Sequence, residues 1–255
     1  MDKFEFNWIR KLWHISGCVL MLVVFYWWRD IRDISIFYWW HGIRDICRIP
    51  VNPLAALTVI AWMMTGVFLV MDLVRHRSEF YDEQFFKHWF FKRILRSHEH
   101  QSYTASTYYL FGASVLMTGV WLGLLKEVTL VMAIMVLGLA DPITGWARYR
   151  LSRRGIADPR FRGFLVFALV SFLVMLVIAL LLDSRLGVIS IGIISVAVAL
   201  METFTRDIVE WCHPFMAWLR SWFPELIASA MKRFWLDDNL GIQAAVGLLA
   251  FFLDR

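Results

Sequence analysis

Asp141, Thr144, Gly145 and Arg148 lie at i, i+3, i+4 and i+7 of the stretch Leu137-Gly-Leu-Ala-Asp141-Pro-Ile-Thr-Gly-Trp-Ala-Arg148, so a helix presents them on one face. The carboxylate follows an almost purely apolar run from Val128 to Ala140. A charge at the end of a membrane helix is costly unless it is paired, hydrated or holding a cation. Pro142 allows a plainer reading, a helix-end cap with a proline kink.

Other groups of the same chemical kind recur at intervals. Arg10, Lys11 and His14 open the first apolar stretch, with Arg10 and His14 at i, i+4. Glu99 precedes Thr104, Thr107, Tyr108 and Tyr109; Glu202 and Arg206 close a later apolar run; Asp237-Asp238-Asn239 opens the last. Taken singly these are a basic tail, a surface pair and an N-cap. Taken together, carboxylates with an asparagine suit Mg2+, which takes oxygen ligands and keeps substrate phosphates. Arginines and lysines suit phosphate oxygens. That is the minimal kit for phosphoryl or nucleotidyl transfer, and its acceptor would be a lipid whose head reaches the interface. There is no Gly-x-x-x-x-Gly-Lys-Ser/Thr loop and no Gly-x-Gly-x-x-Gly. The His98-Glu99-His100 cluster has no distant ligand pair to complete a zinc site.

The elements that must position these groups are membrane helices. The chain has 255 residues, 60% of them hydrophobic, with 14 Trp and 21 Phe. The apolar residues come in blocks, and six prolines with long aliphatic runs favour helices over a barrel. The expected fold is an all-α integral membrane protein, a single domain over residues 1–255. It has about seven transmembrane helices, at about 12–28, 54–73, 103–125, 128–147, 163–182, 186–203 and 240–253, most close to the roughly 20 residues that cross a bilayer core. Three scattered cysteines give neither a disulfide framework nor a CxxC metal motif. The net charge of +5 comes from basic residues beside apolar spans, which fits anionic lipid or a phosphorylated substrate and excludes nucleic acid as a partner.

Alternating loops put 19 of the 26 Lys and Arg residues on the side of the N-terminus and 7 on the other. The positive-inside rule then makes the N-terminus, and with it the charged rim, cytoplasmic, in a bacterial or archaeal cytoplasmic membrane. Two external stretches, 27–34 and 39–46, repeat Trp-Trp-x-x-Ile-Arg-Asp-Ile and suit the headgroup layer. Residues 79–97 are expected to form a basic amphipathic helix on the inner leaflet, and 208–235 a second surface helix.

Arg10-Lys11-Leu-Trp-His14, Arg96-x-x-Glu99 with Thr104 and Tyr108-Tyr109, Asp141-Pro142-x-x-Gly145, Glu202 and Asp237-Asp238-Asn239-Leu240 together resemble the polyprenol kinase family. That family includes dolichol kinase, phytol kinase and the CTP-dependent diacylglycerol kinases, and is related to the phosphatidate cytidylyltransferases. The resemblance implies a Mg2+-dependent transfer of the γ-phosphate of CTP to a lipid alcohol. It implies that Asp237 and Asp238, with Asp141, hold the metal on the nucleotide, next to Asn239. Arg10, Lys11, Arg148 and Arg162 would neutralise phosphate charge, and Glu99 or His14 would position or deprotonate the lipid hydroxyl. Thr104, Tyr108 and Glu202 would line the substrate pocket. The chain departs from the family at Ala140, where glycine is usual. It departs again at Asp158-Pro-Arg160-Phe-Arg162-Gly163-Phe164, where a Lys-x-x-x-Gly-Ser element is usual, and this leaves the choice between CTP and ATP open. Two other functions use the same charges: a cytidylyltransferase forming a CDP-lipid, and a non-catalytic lipid- or phosphate-binding or transport protein.

Overall fold

The computed structural model describes residues 7–30, 53–88, 93, 102–153, 159–220, 222 and 238–254; the external Trp-Trp repeat lies almost wholly outside them. All regular structure among the described residues is helical. Helix α1 spans Trp8–Asp30, and the Asn7 side chain accepts the Arg10 amide at 3.1 Å to cap it. Helix α2, Pro53–Arg77, has proline at its first position, where the missing N–H costs nothing. It ends in Arg75, His76 and Arg77. After α3, Glu79–Lys87, comes α4, Ala105–Trp121, which stops before Gly123 at φ +70°. Helix α5, Glu127–Met135, runs through one π turn, Val136–Ala140, into α6, Asp141–Arg153. Helices α7, Pro159–Leu181, α8, Val188–Arg220, and α9, Asp238–Leu253, complete the helices among the described residues.

Five helical stretches are long and apolar enough to cross a membrane: Trp8–Trp27, Leu54–Arg77, Glu127–Arg153, Arg160–Leu181 and Val188–Thr205. This architecture is that of an all-α membrane-embedded protein. Helices α4 and α9, expected as the third and seventh spans, are shorter at 17 and 16 residues. At 1.5 Å per residue they measure about 25 Å.

The α5–α6 unit is the centre of the bundle. Its span is 72% buried, against 17–28% for the other four. Val128 to Ile134, Val136, Leu137 and Ala140 form the heart of the core, and α1, α4, α7 and α9 pack around them. The outer faces of α2, α7 and α8 expose long aliphatic rows such as Leu165, Leu169, Leu173 and Val177, the pattern of lipid-facing helices. Small residues Gly112, Ala113 and Ser114 let α4 approach its neighbours closely, and Thr65 and Ser114 join α2 to α4 by a 2.9 Å hydroxyl pair.

Three expectations are revised. The basic helix expected over 79–97 ends at Lys87, where His88 turns extended (ψ 128°). Its first part is a nine-residue acidic helix with Glu79, Asp82 and Glu83; of the basic part expected beyond it only Arg93, itself helical, is among the described residues. Lys87 hydrogen-bonds Glu83 at 2.6 Å, which lowers that carboxyl below its usual range. Residues 208–220 do not start a separate helix but continue α8, which runs on through Pro214 to Arg220, while the remainder of the expected 208–235 helix lies outside the described residues apart from Trp222. Finally, Asp141 does not end a helix: the chain stays helical for twelve more residues past it. The π turn widens the helix just before Pro142, where a proline ring would otherwise meet the preceding turn.

Candidate functional site

Antiparallel packing brings the starts of α1, α4, α7 and α9 to one end of the bundle with the ends of α2, α6 and α8. From α1, Lys11 reaches Asp141 with Nζ 2.6 and 2.8 Å from its two carboxylate oxygens, both side chains mostly buried. Arg10 is buried beside it, and His14, one turn on, is half-buried. Close contact fixes where α1 sits: a Cβ on Gly138, in the π turn, would lie 2.8 Å from the Cβ of Cys18. A side chain there would push α1, and Lys11 with it, off Asp141.

Two turns along α6, Arg148 makes a fork to Glu202 on α8, with Nη1 and Nη2 each 2.7 Å from a carboxylate oxygen. Thr203 adds a 3.2 Å hydrogen bond to the same carboxylate. Arg148 lies across the backbone of Gly163 on α7, so closely that a Cβ at that position would overlap its guanidinium. Between the two pairs sits Thr144, fully buried, whose hydroxyl has no hydrogen-bond partner among the described residues. Asn239 is buried in the first turn of α9, where Gly241 packs against Met201 and Thr205 of α8.

Of the expected site residues, Asp141, Lys11, Arg148 and Glu202 therefore come together as two ion pairs on one α6 face. About seven residues of helix, some 10 Å, separate them. They do not share one cage. Among the described residues no three His, Cys, Asp or Glu side chains lie close enough to hold a metal. The Asp237 and Glu99 positions and the Asp238 side chain lie outside the described residues. A magnesium ion needs only one or two carboxylates when phosphates complete its shell. Asp141 and the Thr144 hydroxyl, one turn apart on α6, have the right chemistry for part of one, and Lys11 stands on the carboxylate it would use. Arg162 is exposed at the start of α7 and joins neither pair.

Thr104 and Tyr108 are buried in a polar hub that the sequence reading did not find. Asp72, 2% exposed near the end of α2, accepts the Thr104 amide at 2.9 Å, the Thr104 hydroxyl at 3.2 Å and the Thr107 hydroxyl at 2.6 Å. Arg75, 3% exposed, donates to Asp72 at 3.1 Å, to Asp82 of α3 at 2.9 Å and to the Ser102 carbonyl at 2.9 Å. His76 also meets that carbonyl, at 3.1 Å, and its ring packs edge-on against Tyr103. Asp72 thus caps α4 from a different helix, placing negative charge at its positive end. Its signal in the sequence is a carboxylate inside an apolar run with an arginine three residues on. A second missed residue is Gln243 of α9, fully buried, whose amide donates to the Tyr109 carbonyl at 3.1 Å against the bare backbone of Gly112.

At the opposite end, Lys126 pairs with Asp254 at 2.7 Å. Trp62 packs on Phe111 and donates to Thr118, while Met63 faces outward and Met132 lies in the core. Compared with family models, with curated proteins and with solved structures, the chain matches none.

Proposed function

We propose that this protein is a membrane lipid-alcohol kinase, transferring a phosphoryl group from CTP to a polyprenol, a phytol-like alcohol or diacylglycerol. One observation carries the reading: three helices deliver Lys11, Asp141, Arg148 and Glu202 to one end of a membrane bundle, with a buried Thr144 hydroxyl that has no partner among the described residues, and α9 starts at the same end with Asn239 buried. Phosphoryl transfer runs on positioning and charge neutralisation, and these are the groups it uses. Arg148 and Lys11, held extended by their carboxylates, would turn to phosphate oxygens, with Arg10 adding charge behind them. Asp141, with Asp237, Asp238 and Asn239, would hold a divalent cation, which when bound neutralises phosphate charge. Glu99 or His14 would take the proton of the lipid hydroxyl. Substrate would reach the rim from the inner leaflet, with the site cytoplasmic.

The test is a purified reaction with γ-labelled CTP, magnesium and a panel of prenols and diacylglycerol. Labelled lipid and CDP are expected; release of pyrophosphate would point instead to a CDP-lipid-forming cytidylyltransferase, and label in no lipid ends the kinase reading. A non-catalytic lipid- or phosphate-binding role is favoured by one feature, the complete pairing of both carboxylates with cations. Asp238→Asn separates the two. Loss of Mg2+-dependent nucleotide binding with lipid binding kept supports the kinase, and unchanged nucleotide binding supports the passive protein.

A further inference from the structure

The corner where α6 meets α7 carries a concentration of charge that neither ion pair uses. Arg150 and Arg153 in the last turn of α6, and Arg160 and Arg162 in the first turn of α7, are all exposed. The packing of Arg148 on Gly163 sets the antiparallel register of the two helices, so these turns lie at one level. Aromatic rings brace the outer arginines: Arg150 lies 5.2 Å over Trp146, and Arg153 lies 5.6 Å over Tyr149 and donates to its hydroxyl at 3.2 Å. Tryptophan and tyrosine at such a level mark the membrane interface, and stacking keeps the guanidiniums there. Arg160 meets Asp207 at 3.7 Å with both side chains well exposed, a pair too loose to neutralise the group. Directly below, Phe161 stacks on Phe164 and begins an exposed stripe through Leu165, Leu169, Leu173 and Val177. That stripe is about 24 Å long, enough to run through one leaflet of a core about 30 Å thick.

We infer that this corner is a binding surface for anionic phospholipids, its guanidiniums taking the headgroup phosphate and the α7 stripe the acyl chain. A guanidinium fork matches the oxygens of a phosphodiester. A choline headgroup brings its own cation to the same place and is repelled by four more, so the surface selects for net negative lipid. Arg162, expected from the sequence to hold nucleotide phosphate, belongs on this geometry to the lipid surface instead. The inference does not depend on the protein's being a kinase.

The test counts lipids retained by the full-length protein in native mass spectrometry, after titration in detergent with dioleoylphosphatidylglycerol or dioleoylphosphatidylcholine. The unmodified protein is expected to prefer the glycerol lipid by about tenfold, weakening as salt rises. R150Q/R153Q/R160Q/R162Q is expected to reduce that preference to within about twofold. Removing four cations elsewhere, as R77Q/K87Q/R93Q/R185Q, is expected to leave it. If the quadruple variant does not fold, R150Q/R153Q and R160Q/R162Q are each expected to lose part of the preference. An unmodified protein without preference, a quadruple variant that keeps it, or a control set that abolishes it equally overturns the proposal. So does displacement of the lipid by millimolar inorganic phosphate, which would mark a site for the free anion.

Discussion

Lys11 and Asp141 are separated by 130 residues of sequence, yet the lysine nitrogen touches both oxygens of the carboxylate. Removing one partner of such a pair leaves a charge that the rim cannot hydrate well. The same reasoning sets the largest residue-scale effect at the buried hub. Asp72→Ala leaves Arg75 buried with one carboxylate fewer and takes the cap from α4. It is expected to cost about 3–5 kcal/mol, read as a lowered midpoint of thermal unfolding in detergent. Asp72→Asn, which retains an acceptor for the Thr104 and Thr107 donors, is expected to cost less than the alanine variant. Gly163→Ala makes a separate point. Its methyl group would displace the Arg148 guanidinium, so the variant is expected to fold but to reproduce the functional defect of Arg148→Gln, whichever ligand is measured. Equal binding of that ligand by Gly163→Ala and the parent would show that Arg148 is not held by this contact.

At the scale of elements, the π turn is what aims Asp141. Each residue of an α-helix turns the next by about 100°, so the extra residue accommodated in Val136–Ala140 rotates all of α6 relative to α5. Without it, Asp141 would leave the α1 side. Pro142→Ala restores an N–H and removes the ring that the wide turn accommodates. Crosslinking of cysteines replacing Lys11 and Asp141 by a short bifunctional thiol reagent is expected to be fast in the parent and slower in the Pro142→Ala background, scored by gel mobility. Crosslinking at the same rate would mean that the core residues around the turn, not the proline, hold the rotation. The short acidic helix α3 shows a similar division of labour. It ends at Lys87, and Asp82 is tied by Arg75 to the end of α2, which folds the surface segment back onto the bundle.

At the scale of the whole molecule, the polar clusters among the described residues are distributed lopsidedly. The paired site, the Asp72–Arg75 hub and the arginine corner are at one end, and the Lys126–Asp254 tie is at the other. With five membrane-length helices, this polarity predicts an orientation. A cysteine replacing Arg153 is expected to react with an impermeant thiol reagent only in inside-out vesicles, and one replacing Leu124 only in right-side-out cells. The reverse pattern would invert the topology and remove the site from cytoplasmic nucleotides.

The apolar blocks alone determined that the chain is helical and membrane-embedded, because a bilayer requires backbone groups to be satisfied within each segment and spans to have a set length. The alternation of those blocks also determined that Lys11, Asp141, Arg148, Glu202 and Asn239 would share an end. Tertiary structure decided the rest. Which carboxylate meets which cation depends on the rotation of α6 by a π turn and on the bare backbones of Gly138 and Gly163, which no charge pattern encodes. Asp72 and Arg75 looked like the fringe of a span and proved to be a buried hub, because their partners Thr104, Thr107 and Ser102 come from the far side of a connection. Local periodicity reports how a segment meets lipid or core; it carries no information about which distant segment supplies the compensating hydrogen bond.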